Sequence, residues 1–148
     1  TKEEKIKELC LKNNARAYIS PNRRNAEQVA LAAIQQYAQL VSEGNAYQGY
    51  RVYDSACGST RARGYKPLWV VDVDSKDPEY LKTVIELVNE CRGAEENKVR
   101  YQIPTLHGYH LITIGFDVQQ FSQKLAIKNM DPIDIQKDNP TLLYYATV

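Results

Sequence analysis

Cysteine is scarce in this sequence: Cys10, Cys57 and Cys91 are the only three in 148 residues, odd in number and far apart. With no CxxC pair, a zinc ribbon is excluded and a disulfide framework is not expected. That usage fits a reducing, cytoplasmic setting. Histidine is scarcer still, with His107 and His110 alone, so no Cys/His set for zinc exists. No apolar run approaches the length that crosses a bilayer, so no membrane partner is expected. The opening residues Lys2, Glu3, Glu4 and Lys5 lack the apolar core of a signal peptide. The first residue is Thr1 rather than Met, which suggests trimming upstream. A net charge of +1 excludes a bulk polyanion-binding tail but allows a local basic patch. Internal repeats and low-complexity segments are also missing.

What remains is the composition of an ordinary globular protein, 43% hydrophobic and 25% charged. The length suits one domain with a real core. Residues 2–13 have helical periodicity, with Ile6, Leu9 and Cys10 on one face and Asn13-Asn14 as a stop. Residues 16–20 alternate like a strand, and Pro21-Asn22 marks a turn. Asn25 is an N-cap with Gln28 placed for a capping box. The helix it opens runs to about Ser42, with a wide stripe of Ala26, Val29, Ala30, Ala33, Ile34, Tyr37, Leu40 and Val41, and Gly44 ends it. Residues 44–66 read as a loop-rich insertion with one short helical segment. Asp77-Pro78 starts a second long helix, whose buried side is Tyr80, Leu81, Val84, Ile85, Leu87, Val88 and Cys91, closed by Gly93. Residues 98–103 and 106–114 form two strands around Pro104-Thr105. A short helix follows at 118–125, then a final strand pair at 133–135 and 142–147. The expected fold is α+β, with helices packed on a mixed sheet. Residues 1–66 form an N-terminal unit with the insertion, and 67–148 form the second half of a single domain.

The chain is organised around Leu68-Trp69-Val70-Val71-Asp72-Val73-Asp74. Strand side chains alternate between faces. Trp69, Val71 and Val73 therefore share one face, and Asp72 and Asp74 share the other. Two carboxylates at that spacing repel, and a divalent cation of the Mg²⁺ type would satisfy both. The plainer reading makes Asp74 a turn residue and Asp72 a solvated one. Two further pieces bear on the choice. In Gly108-Tyr109-His110, glycine and histidine share a face, and the missing side chain leaves room for a ligand near the backbone. Asp134 lies between Ile133 and Ile135, which would point inward and turn Asp134 outward. Taken singly, His110 and Asp134 are ordinary strand residues. Together, three carboxylates can hold one or two divalent metals and the histidine can meet a phosphate. The densest basic groups are Arg23-Arg24, at the mouth of the long helix, and Arg51, Arg61, Arg63 and Lys66.

Trp69-Val70-Val71-Asp72-Val73-Asp74, then Pro104-Thr105-Leu106-His107-Gly108-Tyr109-His110, then Ile133-Asp134-Ile135, resembles the archaeo-eukaryotic primase superfamily, closest to phage and plasmid primase–polymerase domains. The shared pattern is an Asp-x-Asp strand, a histidine after a small residue, and a third acidic residue after a hydrophobic one, over residues 68–147. The resemblance implies an RRM-like sheet with a variable N-terminal helix–strand–helix unit. It gives Asp72, Asp74 and Asp134 to two Mg²⁺ or Mn²⁺ ions, and His110, with Gly108 beside it, to the phosphates of an incoming nucleotide. The implied activity is metal-dependent nucleotidyl transfer on a nucleic-acid template, with nucleoside triphosphates as substrate and a helicase or other replication protein as partner. For that activity Arg23 and Arg24 are candidates for triphosphate or template, as are Arg51, Arg61, Arg63 and Lys66, against the plainer reading of solvated charges; Tyr18, Tyr47, Tyr50 and Tyr53 are candidates for stacking on bases, against that of half-buried packing residues. The proline-rich segment and zinc set of many relatives are missing, which bears on primer initiation more than on nucleotide binding. A non-catalytic nucleic-acid or nucleotide-binding module and a two-metal nuclease are the alternatives.

Overall fold

In chain order the elements are α1 Lys2–Asn13, β1 Arg16–Ile19, α2 Ala26–Ser42, a 3-10 helix Ala46–Arg51, α3 Val52–Gly58, β2 Leu68–Val73, α4 Pro78–Glu90, β3 Val99–Pro104, β4 Tyr109–Ile114, α5 Val118–Ile127, β5 Asp134–Gln136 and β6 Thr141–Tyr145. This computed structural model describes residues 1–59, 67–138 and 141–145. It divides into two compact units, Thr1–Pro21 with Leu68–Val148, and Asn22–Pro67. The first helix and strand thus belong with the C-terminal half rather than with an N-terminal unit ending at 66. Among the described residues no helix is long and apolar enough to cross a membrane.

The first unit carries a β-α-β-β-α-β run, β2 to β5, folded as an α+β layer. Its sheet has the order β3-β4-β2-β5. Strands β2 and β3, joined through α4, are separated by β4, which is the split βαβ arrangement behind RRM-like sheets. All three pairings are antiparallel, where a mixed sheet was expected. The reason is that β4 enters between the two strands that would otherwise run side by side in parallel. The expected final strand pair is also different. Strand β5 pairs with β2, and β6 pairs with β1 in a separate two-stranded sheet.

Local chemistry explains the helices. Thr1 and Glu4 close a capping box on α1, and Asn14 ends it in the left-handed conformation at φ 46°. Asp77 caps α4 by accepting from the Glu79 N–H at 3.0 Å, with Pro78 in the first turn. Leu81, Val84, Leu87 and Val88 of α4 then meet Val71, Val73 and Leu111 of the sheet, with Phe121 and Leu125 of α5. Burying each such side chain stabilises the fold by about 1.5–3 kcal/mol. Trp69 and Phe116 extend this core at a ring separation of 5.5 Å. Ile133 and Ile135 pack at its edge.

The second unit is smaller. Asn25 Oδ1 accepts from the N–H groups of Glu27 and Gln28, starting α2 as the sequence implies. Only part of the broad apolar stripe expected of α2 is buried: Val29 lies in the core of this unit and Ala33 packs beside it. Val29 and Ala32 are buried against Ala56 of α3, whereas Ile34, Tyr37 and Val41 are exposed. A core built on alanines is thin and covers only a narrow strip of the helix. Of the expected loop-rich insertion, residues 46–58 are helical throughout, and 60–66 lie outside the described residues.

Candidate active site

Strand pairing puts the singled-out residues of the first unit in one row. Asp72 of β2 stands opposite His110 of β4 on one side and opposite Asp134 of β5 on the other. The row lies on the face turned away from the helices, because Val71, Val73, Tyr109, Leu111, Ile133 and Ile135 face the core. One step along the same face, Val70 and Ile112 are also buried, so the row stands at the wet end of a dry surface. Asp74 follows just past the end of β2 and is exposed.

The imidazole is held from both sides. His110 Nε2 lies 3.3 Å from Asp72 Oδ1. His110 Nδ1 shares a 2.7 Å hydrogen bond with Thr141 Oγ1, and Thr141 is buried at the start of β6. This bond links the small β1–β6 sheet to the larger one and fixes the ring plane. Asp72 is partly desolvated, and burial pushes its carboxyl above the ordinary carboxylate range. The nearby charge of His110 works against that rise, and the charges of Asp74 and Asp134 add to it. Asp134 is exposed, with Gln136 Nε2 donating to its Oδ2 at 3.1 Å.

Gly108 has a different part from the one its spacing suggested. A Cβ there would come within 1.8 Å of the Val73 carbonyl oxygen and 2.7 Å of the Ser75 nitrogen. The room left by the missing side chain is filled by the end of β2, so Gly108 seats the backbone that carries Asp72 and Asp74. The turn before it is closed by the Thr105 N–H donating to the Gly108 carbonyl at 2.9 Å and by the Gly108 N–H donating to Thr105 Oγ1 at 3.1 Å.

Asp72, Asp74 and His110 open into a cleft of about 270 Å³, whose other walls are Arg16, Tyr18, Thr105, Leu106, His107 and Leu142. Arg16, His107 and Leu142 were not singled out as site residues from the sequence, and Thr141 was not singled out either. Their signal is long-range: Tyr18 reaches the site because it pairs with Leu142 across β1 and β6, and nothing local announces that pairing. Arg16 is the one arginine in the wall, and among the described residues its guanidinium has no ion-pair or hydrogen-bond partner. Arg23, Arg24 and Arg51 belong to the second unit. Arg61, Arg63 and Lys66 lie outside the described residues.

The donors suit a hard cation. Asp72 and Asp74 offer carboxylate oxygens on one cleft, and their mutual repulsion is what a divalent ion relieves. Among the described residues no three His, Cys, Asp or Glu side chains are gathered closely enough to enclose an ion. Comparison with models of known families, with curated proteins and with solved structures gives no match to this chain.

Proposed function

We propose that this chain is a metal-dependent nucleotidyltransferase core of primase–polymerase type, extending a strand on a nucleic-acid template. The observation that carries this reading is the in-register row His110–Asp72–Asp134, with Asp74 beside it, at the wet end of the helix-free face of an antiparallel β3-β4-β2-β5 sheet. Like charges directly opposite one another on neighbouring strands destabilise a sheet. A module that only bound polyanions would gain nothing from gathering them.

Asp72 and Asp74, which share the cleft, would hold Mg²⁺ or Mn²⁺, and Asp134, across the strand pair and not in the cleft wall, adds negative charge beside them. Bound there, the ion would neutralise phosphate charge and stabilise the oxygens of an in-line displacement at the α-phosphate. The chain's own side chains bind and orient. His110, held by Thr141 at Nδ1, would turn Nε2 from Asp72 to a phosphate oxygen once a cation takes over that carboxylate. Arg16 supplies a cation to the same cleft for the outer phosphates, in the bidentate manner guanidinium favours. Tyr18 and Leu142 form a flat, partly apolar wall suited to sugar or base. Catalysis is then mostly positioning and charge neutralisation.

Primer extension tests this directly. A labelled primer–template with nucleoside triphosphates and Mn²⁺ should yield longer strands with the wild type and none with Asp72→Ala. Shortened strands would assign the same carboxylates to a nuclease, and unchanged strands would favour a binding module.

A further inference from the structure

We propose that the second unit carries its own single-strand stacking platform, made by Tyr47, Tyr50 and Tyr53. This site does not depend on the carboxylate cleft or on any catalysis. The three tyrosines are among the most exposed large side chains of the chain, at 74%, 74% and 67%. Soluble domains rarely group exposed aromatics without a use for them. Tyr47 and Tyr50 lie in the 3-10 helix Ala46–Arg51, and Tyr53 lies in the first turn of α3, which continues it.

The spacing is what points to bases. In a 3-10 helix, residues three apart eclipse, and three residues advance by about 6 Å. Stacked rings sit about 3.4 Å apart in a nucleic-acid strand. Tyr47 and Tyr50, both in the 3-10 helix, are therefore spaced with room for roughly one base between them, and Tyr53 follows three residues on in α3. An ordinary α-helical spacing of four would not eclipse the side chains in this way.

One more feature favours a strand over a protein partner. Arg51 lies with its guanidinium carbon 5.2 Å from the Tyr50 ring, where it can reach a phosphate while keeping contact with the aromatic face. Among the described residues of the unit Arg23, Arg24 and Arg51 stand against Glu27, Glu43 and Asp54, so the cation that serves the platform is Arg51 itself rather than a bulk charge. Asp54 is the one acidic residue in the helix that bears Tyr53. The platform is also held firmly: Tyr37 of α2 packs at Gly49, where a Cβ would come within 2.5 Å of its ring. The unit thus presents a preformed surface, and every base has a ring face to offer it.

The test is fluorescence anisotropy of short labelled oligo-dT and oligo-U with the full chain, without metal and without nucleoside triphosphate. Tyr47→Ala and Tyr50→Ala should each weaken binding on the order of tenfold. Tyr50→Phe should bind like wild type, because stacking needs the ring and not the hydroxyl. Thermal unfolding of all three should match wild type, since the side chains are exposed. Wild-type affinity in Tyr47→Ala and Tyr50→Ala would overturn the proposal. So would a wild type that binds no strand but self-associates through this face, which would give the tyrosines to a second copy. Loss of primer extension with strand binding intact would count against the active-site reading and leave this one standing.

Discussion

Replacing Gly108 with alanine should break the joint on which the acidic row depends. The added Cβ would fall 1.8 Å from the Val73 carbonyl oxygen and 2.9 Å from the Val73 carbonyl carbon, where real Cβ contacts stay beyond 3.0 Å. Both obstacles are backbone, and Val73 is paired with Tyr109 inside the β2–β4 ladder. No side chain can rotate away, so the two strands must part by more than an ångström. Overpacking of this kind costs about 1–3 kcal/mol, and we expect the upper end. At roughly 2–4 °C per kcal/mol for a chain of this size, that lowers Tm by about 6–12 °C. Trp69, the only tryptophan, sits on β2. Its fluorescence therefore reports melting of this unit, with far-UV circular dichroism following both units. The exposed Ser122→Ala change on α5 serves as control and should leave Tm nearly unchanged. A Gly108→Ala protein melting with the control would refute the packing role and return Gly108 to the ligand-facing part its spacing suggests.

Other consequences follow from the same geometry. Asp72 has its carboxyl raised by burial and by its acidic neighbours. Its ionised form therefore costs stability, and that cost is absent below the unfolded carboxylate pKa and complete above the raised folded value. Asp72→Asn should then raise the unfolding free energy at neutral pH, by on the order of 1 kcal/mol or less, and the gain should vanish in acid; a gain that grows as pH falls would contradict this. Lys98 is buried, with Nζ donating to the Asn89 carbonyl at 2.6 Å and to that of Glu96 at 3.3 Å. Lys98→Met should cost about 1–3 kcal/mol by leaving a helix-end carbonyl unpaired, measured by urea unfolding, and an unchanged midpoint would show that water takes over the bond. Thr141→Val keeps the shape but removes the hydroxyl that meets His110. It should weaken triphosphate binding on the order of tenfold, with little change in primer–template binding, whereas equal loss of both would mean a general structural fault.

The parts legible from sequence are those set by local chemistry. Asp77-Pro78 announced α4, Asn25 announced α2, and alternation around Val71 and Leu111 placed Asp72 and His110 on the face away from the core. Asp134 was legible for the same reason, since Ile133 and Ile135 had to face inward. What was not legible depends on distant partners. The β1–β6 pairing joins residues more than a hundred positions apart, and it is what brings Arg16 and Tyr18 to the cleft. The exposed side of α2 was misread because a stripe of Ala, Ile and Tyr looks equally apolar whether or not anything covers it. Gly108 was read as open space because a sequence does not show which backbone fills it.

The proposed function requires Asp72 and Asp74 to form a cation-dependent triphosphate site. Calorimetric titration of a nucleoside triphosphate with Mn²⁺ into the wild type and into the Asp72→Ala/Asp74→Ala protein decides it. Binding in the wild type should require Mn²⁺ and should be lost in the double variant, with both proteins folded. Binding that survives in the double variant, or that never needs the metal, would contradict it.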